Sequence, residues 1–453
     1  MSLNLQEKDK KNLWHPYTQM KDYSQRDLLI VDRAEGIYLF DENGRRYFDT
    51  ISSWWCILHG HNHPTMKEYV RRQLEKLDHI ILAGISHESV ILLAEKLVDI
   101  TPEPLSKVFF SDNGSTTCEI ALKMSLQFWR HSGQPQRNRF VSVLGGYHGD
   151  TIGAMSLGGV PEFHEEFKDL LFESFSIPSP HCYRCPMGKE QDSCELECLQ
   201  PLEDLLDREG QRIAAMILEP LIQGAGGLRI YPVRYLKRVA ELVRQHGVHL
   251  ILDEVATGFG RTGKMFAMEH AGVVPDFLCL SKGLTGGMLP MAATMTTDEI
   301  YNAFYDDYVE NKTFYHGHTF TGNPLAAAAG LGSLQVFADD RPFDRMKQTI
   351  PHLHQCMERF RDLPWVGDVR KLGMICALEL VKNRETKEAF SFGDRVGWKI
   401  YLEGLKKGLI LRPLGNIVYL WLPLSTTMEQ IDEITELTYQ VLSDPANING
   451  WPG

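Results

Sequence analysis

Two short apolar runs near the middle of the chain each end at a residue type that can do chemistry. Residues 250–252 are apolar and lead to Asp253, and residues 277–280 lead through a serine to Lys282. Apolar runs of this length, bounded by glycines and polar residues, are typical of buried parallel strands. Open α/β sheets bind their ligands at the carboxyl ends of such strands. The acid and the lysine are therefore predicted to lie in one ligand site.

The chemistry that this pair predicts is that of pyridoxal phosphate. An acid can keep the ring nitrogen of this cofactor protonated, and a lysine can form an imine with its aldehyde. Each residue alone has a plainer explanation, since an aspartate often caps a turn and a lysine is usually solvated. Asp253, Lys282 and the glycines behind the lysine are better explained together, by one cofactor.

Two further segments, each following a predicted strand, have residues suited to such a ligand. Gly114 permits a close backbone approach and Ser115 adds a hydroxyl at a predicted helix start, which is an arrangement that binds phosphate. Plain helix capping is the alternative. In residues 145–151, Tyr147 or His148 can lie flat on a planar ring, unless the segment is only a glycine-rich turn with exposed aromatic side chains.

Arginine and histidine supply the remaining candidates. Arg412 precedes a predicted strand, and its forked guanidinium suits a carboxylate, although a surface ion pair is the commoner role of an arginine. His316 and His318 are two residues apart with no third ligand at helical or finger spacing, and the same holds for the histidines at 59, 61 and 63. We predict polar loops there and assign no metal to the site.

Four of the nine cysteines form a cluster with the spacing Cys182-x2-Cys185-x8-Cys194-x3-Cys198. Such pairs can hold Zn²⁺ tetrahedrally or form disulfides if oxidised. A reduced surface insertion without a ligand is the third interpretation. The spacing alone leaves these three open. The other five cysteines are scattered and are expected to be reduced thiols.

Alternating strands and helices are predicted to position these residues. The predicted strands are 108–111, 139–144, 214–218, 249–252, 277–280 and 291–295, and the clearest helices are 118–131 and 235–246. This alternation predicts an α/β fold with a mainly parallel sheet between helices. We expect an N-terminal segment (1–65) with a hairpin at Asn43-Gly44, a large domain (66–338) carrying the cysteine-rich insertion (about 181–199), and a smaller α+β domain (339–453).

Composition excludes several classes of partner. The chain has 453 residues, 43% of them hydrophobic, and a net charge of −12 without a basic run. Nucleic acid and anionic membrane surfaces are therefore not expected as partners. The N-terminus lacks the apolar core of a signal peptide, and no apolar run is long enough to span a bilayer. We expect a cytoplasmic protein.

The motifs together carry a family resemblance. The sequence Asp-Glu-Val-Ala-Thr-Gly-Phe-Gly-Arg-Thr-Gly at 253–263, with Ser-Lys-Gly at 281–283, resembles the signature of class III, fold-type I pyridoxal phosphate aminotransferases. Motifs at 14–18, 52–55, 146–151, 219–227, 316–324 and 411–413 resemble the branch that aminates 8-amino-7-oxononanoate in biotin biosynthesis. The resemblance covers nearly the whole chain.

This resemblance implies a role for each matching residue. Lys282 would bind the cofactor and move the proton, Asp253 would hold the ring nitrogen protonated, and Tyr147 would stack on the ring. The phosphate would be held by Gly114 and Ser115, and, from the partner subunit of a homodimer, by His318 and Thr319. Catalysis and substrate binding would also involve Tyr17, Trp54, Tyr147, Asp150, Gly317 and Arg412.

The amino donor is the least determined part of this interpretation. Branches of the family that use glutamate have an arginine where this chain has Tyr419, so a donor α-carboxylate would lack its forked partner. We expect S-adenosylmethionine, with lysine, or another ω-aminotransferase reaction on a long-chain substrate, as alternatives. From a different class, a non-catalytic protein that binds a nucleotide phosphate through residues 114–116 is a further alternative.

Overall fold

The computed structural model describes residues 4–191 and 193–449. The N-terminal part contains a three-stranded antiparallel sheet of β1 (Val31–Glu35), β2 (Tyr38–Asp41) and β3 (Arg46–Phe48). The predicted hairpin is formed by β2 and β3, and Gly44 in its turn has φ of 78°, a backbone conformation that glycine adopts without strain. Strand β1 was not predicted.

The later strands form one large sheet, one small sheet and a two-stranded ribbon. In chain order they are β4 (Leu105–Ser111), β5 (Arg139–Val143), β6 (Phe175–Ile177), β7 (Ile213–Leu218), β8 (Ile222–Gln223), β9 (Arg229–Ile230), β10 (His249–Asp253), β11 (Phe277–Leu280), β12 (Ala292–Thr297), β13 (Val366–Leu372), β14 (Ile375–Asn383), β15 (Glu388–Ala389) and β16 (Ile417–Trp421).

The large sheet confirms the predicted α/β class. Its strand order is β4-β12-β11-β10-β7-β5-β6, and only β12 runs antiparallel to its neighbours among these described strands. Every residue of β7, β10 and β11 is buried, because helices cover both faces of a parallel sheet. All six predicted strands exist, with ends shifted by up to three residues. The edge strand β6 was not predicted.

Helices surround the two sheets. Those of eight or more residues are Leu5–Asn12, Pro64–Lys76, Glu88–Ile100, Gly114–His131, Gln200–Glu209, Val233–Gln245, Pro324–Asp340, Pro342–Glu358, Val396–Lys406 and Met428–Ser443. Shorter α-helical segments are Met20–Ser24, Ile152–Met155, Pro161–His164, Asp298–Asn302 and Ala446–Asn449, and Ser52–Trp55 forms a single turn with positive φ angles. No helix within the described ranges is both long and apolar enough to cross a membrane.

The small sheet lies in the C-terminal part, where β14 pairs with β13, β15 and β16. The N-terminal part joins it through backbone hydrogen bonds: Phe48 N donates to Gly408 O (2.8 Å), and Ile410 N donates to Phe48 O (3.2 Å). These contacts join the N-terminal three-stranded sheet to the C-terminal part. The division into domains at residues 65 and 338 stays a prediction. Residues 1–3, 192 and 450–453 of the predicted domains lie outside the described residues.

Candidate active site

A cavity of about 390 Å³ opens where the strands of the large sheet end. Asp253 ends β10, Lys282 follows β11, and the loop after β4 supplies Gly114 and Ser115. Tyr147, from the loop after β5, lines the same cavity. The structure therefore brings five predicted residues from four segments to one place, because parallel strands present their carboxyl ends at the same edge.

Asp253 is held by three donors. Its Oδ2 lies 2.8 Å from His148 Nδ1 and 3.6 Å from Cys118 Sγ, and Oδ1 accepts from Val255 N (3.1 Å). The side chains of Asp253 and His148 are 5% and 1% exposed, so the carboxylate is shielded from water and its orientation is fixed. The residues alone allowed either Tyr147 or His148 to stack on the ring, and the family resemblance implied Tyr147. The structure places His148 on the aspartate instead.

Lys282 lies half-buried in the cavity wall, with its amine removed from bulk water. Desolvation lowers the pKa of this amine, and the nearby charge of Asp253 acts in the opposite direction. A lower pKa leaves more of the neutral amine, which is the nucleophilic form. Lys282 Nζ also lies 4.9 Å from the centre of the Trp55 ring, which forms one wall of the cavity.

The loop after β4 can receive an anion. A helix of 18 residues begins at Gly114, capped by Asn113, whose Oδ1 accepts from Thr116 N (3.1 Å). A side chain at Gly114 would place its Cβ 2.7 Å from Val255 Cγ1, so this position requires glycine. The helix is therefore capped, as the alternative explanation of this segment predicted. Its N-terminus also lines the cavity, where it can bind an anion.

A cluster of polar and aromatic side chains forms the mouth of the site. Tyr17 OH donates to Asp150 Oδ2 (2.7 Å) and lies 3.3 Å from Tyr147 OH. The Tyr17 ring meets Trp54 edge to face at 5.5 Å, and the Arg412 guanidinium lies 4.7 Å from the Trp54 ring centre. Burial, with Asp150 nearby, raises the pKa of Tyr17 to about 12, so its hydroxyl stays protonated near neutral pH.

Arg412 is available to a ligand. None of the ion pairs in the described ranges includes its guanidinium, and its neighbour is the aromatic face of Trp54. The alternative of a surface ion pair is therefore wrong within those ranges. A cation beside an open aromatic surface is suited to a substrate that has both an alkyl chain and a carboxylate.

Seven of the predicted site residues are not part of the cavity lining: Tyr17, Trp54, Asp150 and Arg412, which form the cluster beside Tyr147, and Gly317, His318 and Thr319, which lie in another segment. Gly317 and Thr319 are exposed, and His318 Nε2 lies 3.8 Å from Asp112 Oδ1. The cavity lining includes none of the three. Tyr419 is buried, and its hydroxyl accepts a hydrogen bond from Trp55 Nε1 (3.2 Å). Its position therefore offers no cation to a donor carboxylate.

The segment Ser52–Trp55, predicted as part of a loop, forms a left-handed turn. Its four residues have φ of 50°, 44°, 69° and 72°, although none of them is glycine. The turn sends Trp55 inward beside Lys282 and leaves Trp54 at the mouth, 40% exposed. Sequence patterns do not predict this conformation, because L-residues rarely adopt it in succession.

Arg261 holds that turn, and its role was not predicted. Its Nη1 donates to Ser52 Oγ (3.2 Å) and Leu422 O (2.9 Å), and its Nη2 donates to Trp55 O (3.0 Å) and Ile57 O (2.8 Å). The residue is 1% exposed, and burial lowers its pKa to about 10. The sequence signal for a role of Arg261 was its position in the motif at 253–263. Arg261 therefore connects the motif at 253–263 to the turn at Ser52–Trp55.

The comparisons with known proteins agree with this geometry. The family profile "Aminotransferase class-III" matches residues 20–442, and the chain belongs to that family. It is therefore a pyridoxal-phosphate-dependent aminotransferase, as predicted. This result removes the alternative of a non-catalytic binding protein. The buried carboxylate, the desolvated amine and the helix N-terminus fit the ring nitrogen, aldehyde and phosphate of the cofactor.

More particular similarities point to one branch of the family. A protein of Geobacter sulfurreducens named adenosylmethionine-8-amino-7-oxononanoate aminotransferase is 44% identical over 95% of this chain and 96% of its own length. One of the same name from Aquifex aeolicus is 46% identical over 95% of each chain. The crystal structure of the Methanocaldococcus jannaschii protein of that name has 43% identity and a TM-score of 0.92, over 97% of this chain and 98% of its own.

Replacing the cavity lysine tests the catalytic centre. In Lys282→Ala, transaminase turnover is expected to fall at least about a hundredfold, because the amine that moves the proton is lost. The melting temperature should stay close to that of the unmodified protein. Lys264→Ala is the matched control, since its ammonium only reaches Glu269 O outside the cavity. Activity of Lys282→Ala close to that control would contradict the assignment.

Replacing Arg261 tests the clamp on the left-handed turn. Arg261→Met leaves several buried carbonyl oxygens unpaired and is expected to lower the free energy of unfolding by about 2–4 kcal/mol. In the protein that folds, displacement of Trp55 should lower kcat/KM. Denaturant titration and steady-state kinetics measure the two effects. Arg208→Met, at an exposed ion pair, is the control, and equal behaviour of the two variants would argue against a clamp.

Proposed function

We propose that this enzyme transfers an amino group to the ketone of 8-amino-7-oxononanoate, giving 7,8-diaminononanoate for biotin synthesis, with S-adenosylmethionine as donor. The observation that carries the proposal is the mouth cluster, which has a cation and an acid beside aromatic rings. Relatives named for this reaction, 39–46% identical over at least 91% of the chain, support it. We place the reaction in the cytoplasm.

The work of the protein in this reaction is to position groups and to move a proton. When bound, the cofactor acts as an electron sink that acidifies a C–H bond of the amine. Lys282 accepts and returns the proton at its Nζ, whose pKa is lowered by desolvation, so that more of the amine is neutral than in water. Asp253, which His148 contacts through Nδ1, would hold the ring nitrogen protonated. Tyr147, which lines the same cavity, would cover the ring.

The acceptor is recognised by its two ends. Its carboxylate suits Arg412, which has an open guanidinium above Trp54. Its amino group suits the Asp150 carboxylate, which Tyr17 orients through a hydrogen bond of 2.7 Å. The alkyl chain between the two ends lies against the aromatic rings, where burial of apolar surface favours binding.

The donor is selected partly by what the pocket lacks. Tyr419 is buried and bonded to Trp55, so glutamate finds no forked partner for its α-carboxylate there. S-adenosylmethionine is a cation, and the charge of Asp150 at the mouth favours it. A lysine donor shares a positive side chain and is the main alternative. A general ω-transaminase function has less support, since structures with that title, such as the one from Pseudomonas jessenii with PMP, are 30% identical.

We also propose a homodimer in which His318 and Thr319 of one subunit complete the phosphate site of the other, with Gly317 beside the substrate. The segment that contains them exposes large apolar side chains, which a monomer rarely leaves uncovered. Tyr305, Tyr308, Val309, Tyr315 and Phe320 are 60–93% exposed. An interface over this segment would cover those side chains and would explain why the three predicted residues are absent from the lining of their own subunit's cavity.

Single-turnover measurements test the donor. The holoenzyme is mixed with S-adenosylmethionine, lysine or glutamate, and loss of its visible absorbance is followed. We expect the first to react at least about tenfold faster than the others, because Tyr419 offers no partner to glutamate. 8-Amino-7-oxononanoate should then restore the absorbance and yield a diamine by mass spectrometry. If lysine reacts fastest, lysine is the donor. If the acceptor does not react, the proposed function is wrong.

Mixing two inactive variants tests the shared site. Lys282→Ala and Thr319→Glu are purified separately and combined under conditions that exchange subunits. If Thr319 acts across the interface, each mixed dimer has one intact site, and about a quarter of normal activity should return. Activity that does not return, although light scattering shows mixed dimers, would place Thr319 in its own subunit's site. A monomeric mass would contradict the dimer itself.

A further inference from the structure

The cysteine-rich insertion has no part in the proposed transamination. Residues 181–191 and 193–199 of the insertion contain two short 3₁₀ turns, Cys182–Arg184 and Glu197–Leu199, and otherwise irregular backbone. All four of its cysteines are free thiols, so the disulfide alternative does not hold in this structure. An irregular segment that buries little apolar surface has little to hold it in one conformation. Four thiols gathered in it are suited to supply a crosslink of another kind.

The four sulfurs are near one another. Burial raises the pKa of the Cys198 thiol to about 11, and Cys194, Cys185 and Cys182 add to that rise as neighbouring thiols. Cys194 Sγ accepts a hydrogen bond from Leu196 N (3.2 Å), and Leu196 has a left-handed backbone with φ of 65°. An amide directed at a cysteine sulfur stabilises the thiolate form, which is the form that binds metal.

The four sulfurs lie further apart than the ligands of a single bound metal ion. In a tetrahedral zinc site the sulfurs lie about 3.8 Å apart, given Zn–S bonds of about 2.3 Å. Here no three of these sulfurs lie within 4.8 Å of one another, all four being in the described part of the chain. A zinc ion would need rotation of the cysteine side chains. In an iron–sulfur cluster each cysteine binds its own iron, so its thiolates are spaced further apart.

Contacts with the rest of the chain hold the insertion in place. Arg184 donates to Glu379 Oε1 (2.7 Å) on β14, and Lys387 Nζ donates to Tyr183 O (2.7 Å). Arg234 Nη2 donates to Gln191 O (3.0 Å). The insertion also carries acidic residues, of which Glu197 pairs with Lys189 (3.1 Å). The contacts therefore anchor its backbone, and charge gives no preference between metals.

We propose that Cys182, Cys185, Cys194 and Cys198 bind a thiophilic metal centre, which fastens the insertion between the large and small sheets. The ligand chemistry is the same for zinc and for iron with inorganic sulfide: each thiol loses its proton and its sulfur binds metal. The centre is structural, and the proposal does not depend on the identity of the amino donor or acceptor. Just before the insertion, Ser179 Oγ donates to Gln223 Oε1 (2.6 Å) at the end of β8.

Metal analysis of the holoenzyme, purified without oxygen from cells supplied with zinc and iron, tests the site. We expect about one zinc, or about four irons with acid-labile sulfide, per chain. Elemental and sulfide analysis separates these two results, and either supports the site. The double variant Cys194→Ser/Cys198→Ser should lose at least nine tenths of the metal. Less than about a tenth of an equivalent of either metal in the unmodified enzyme would overturn the proposal.

Outside the cavity, the described residues form one other group of three potential metal ligands. A control variant distinguishes the cysteine site from that group. That group is His352, Cys356 and Asp432, with His352 Nε2 2.7 Å from Asp432 Oδ1. Cys356→Ser should keep the full metal content, and loss of metal in it would overturn the assignment. The purified enzyme should also have four thiols that a thiol reagent modifies only after a chelator or acid releases the metal. Immediate reaction of all four would count against the proposal.

Discussion

A carboxylate and an amine, placed at the ends of neighbouring strands and largely removed from water, are the constraint on which the rest of this structure depends. An ionised carboxylate without partners is costly to bury, so Asp253 needs the donors from His148, Cys118 and Val255. The same desolvation lowers the pKa of Lys282 and makes its amine a base and a nucleophile. Burial therefore has two effects. It makes the lysine amine reactive, and it requires the hydrogen bonds that surround the aspartate.

The turn at Ser52–Trp55, beside the cluster that is proposed to bind substrate, depends on a second balance of free energies. A left-handed backbone costs about 1–2 kcal/mol for each L-residue, and the turn at Ser52–Trp55 has four of them. A hydrogen bond from a charged donor contributes about 1.5–3 kcal/mol, and Arg261 makes four such bonds with the turn and the strands beside it. The two contributions are of similar size. Arg261 therefore makes possible a conformation that places Trp55 in the cavity and Trp54 at its mouth.

These two parts of the site differ in how far the sequence predicts them. The cofactor part consists of short strand, loop and helix segments whose local patterns are visible, and Asp253, Lys282, Gly114 and Ser115 were all placed correctly at strand ends or a helix start. Helix and strand ends shifted by a few residues because terminal hydrogen bonds depend on neighbours. The edge strand β6 was missed because three residues carry too little periodicity.

The substrate part could not be predicted in the same way, because its contacts join distant positions. Tyr17 bonds to Asp150, and Arg261 bonds to carbonyl oxygens near residues 55 and 422. No local pattern encodes such a pairing, and four left-handed residues in succession contradict local preference. Resemblance to a family supplied residue roles there, but not the clamp that makes the geometry possible. Since Arg261 contacts the N-terminal segment and the strand end near Leu422 together, a change in either part would reach the cavity through this one side chain.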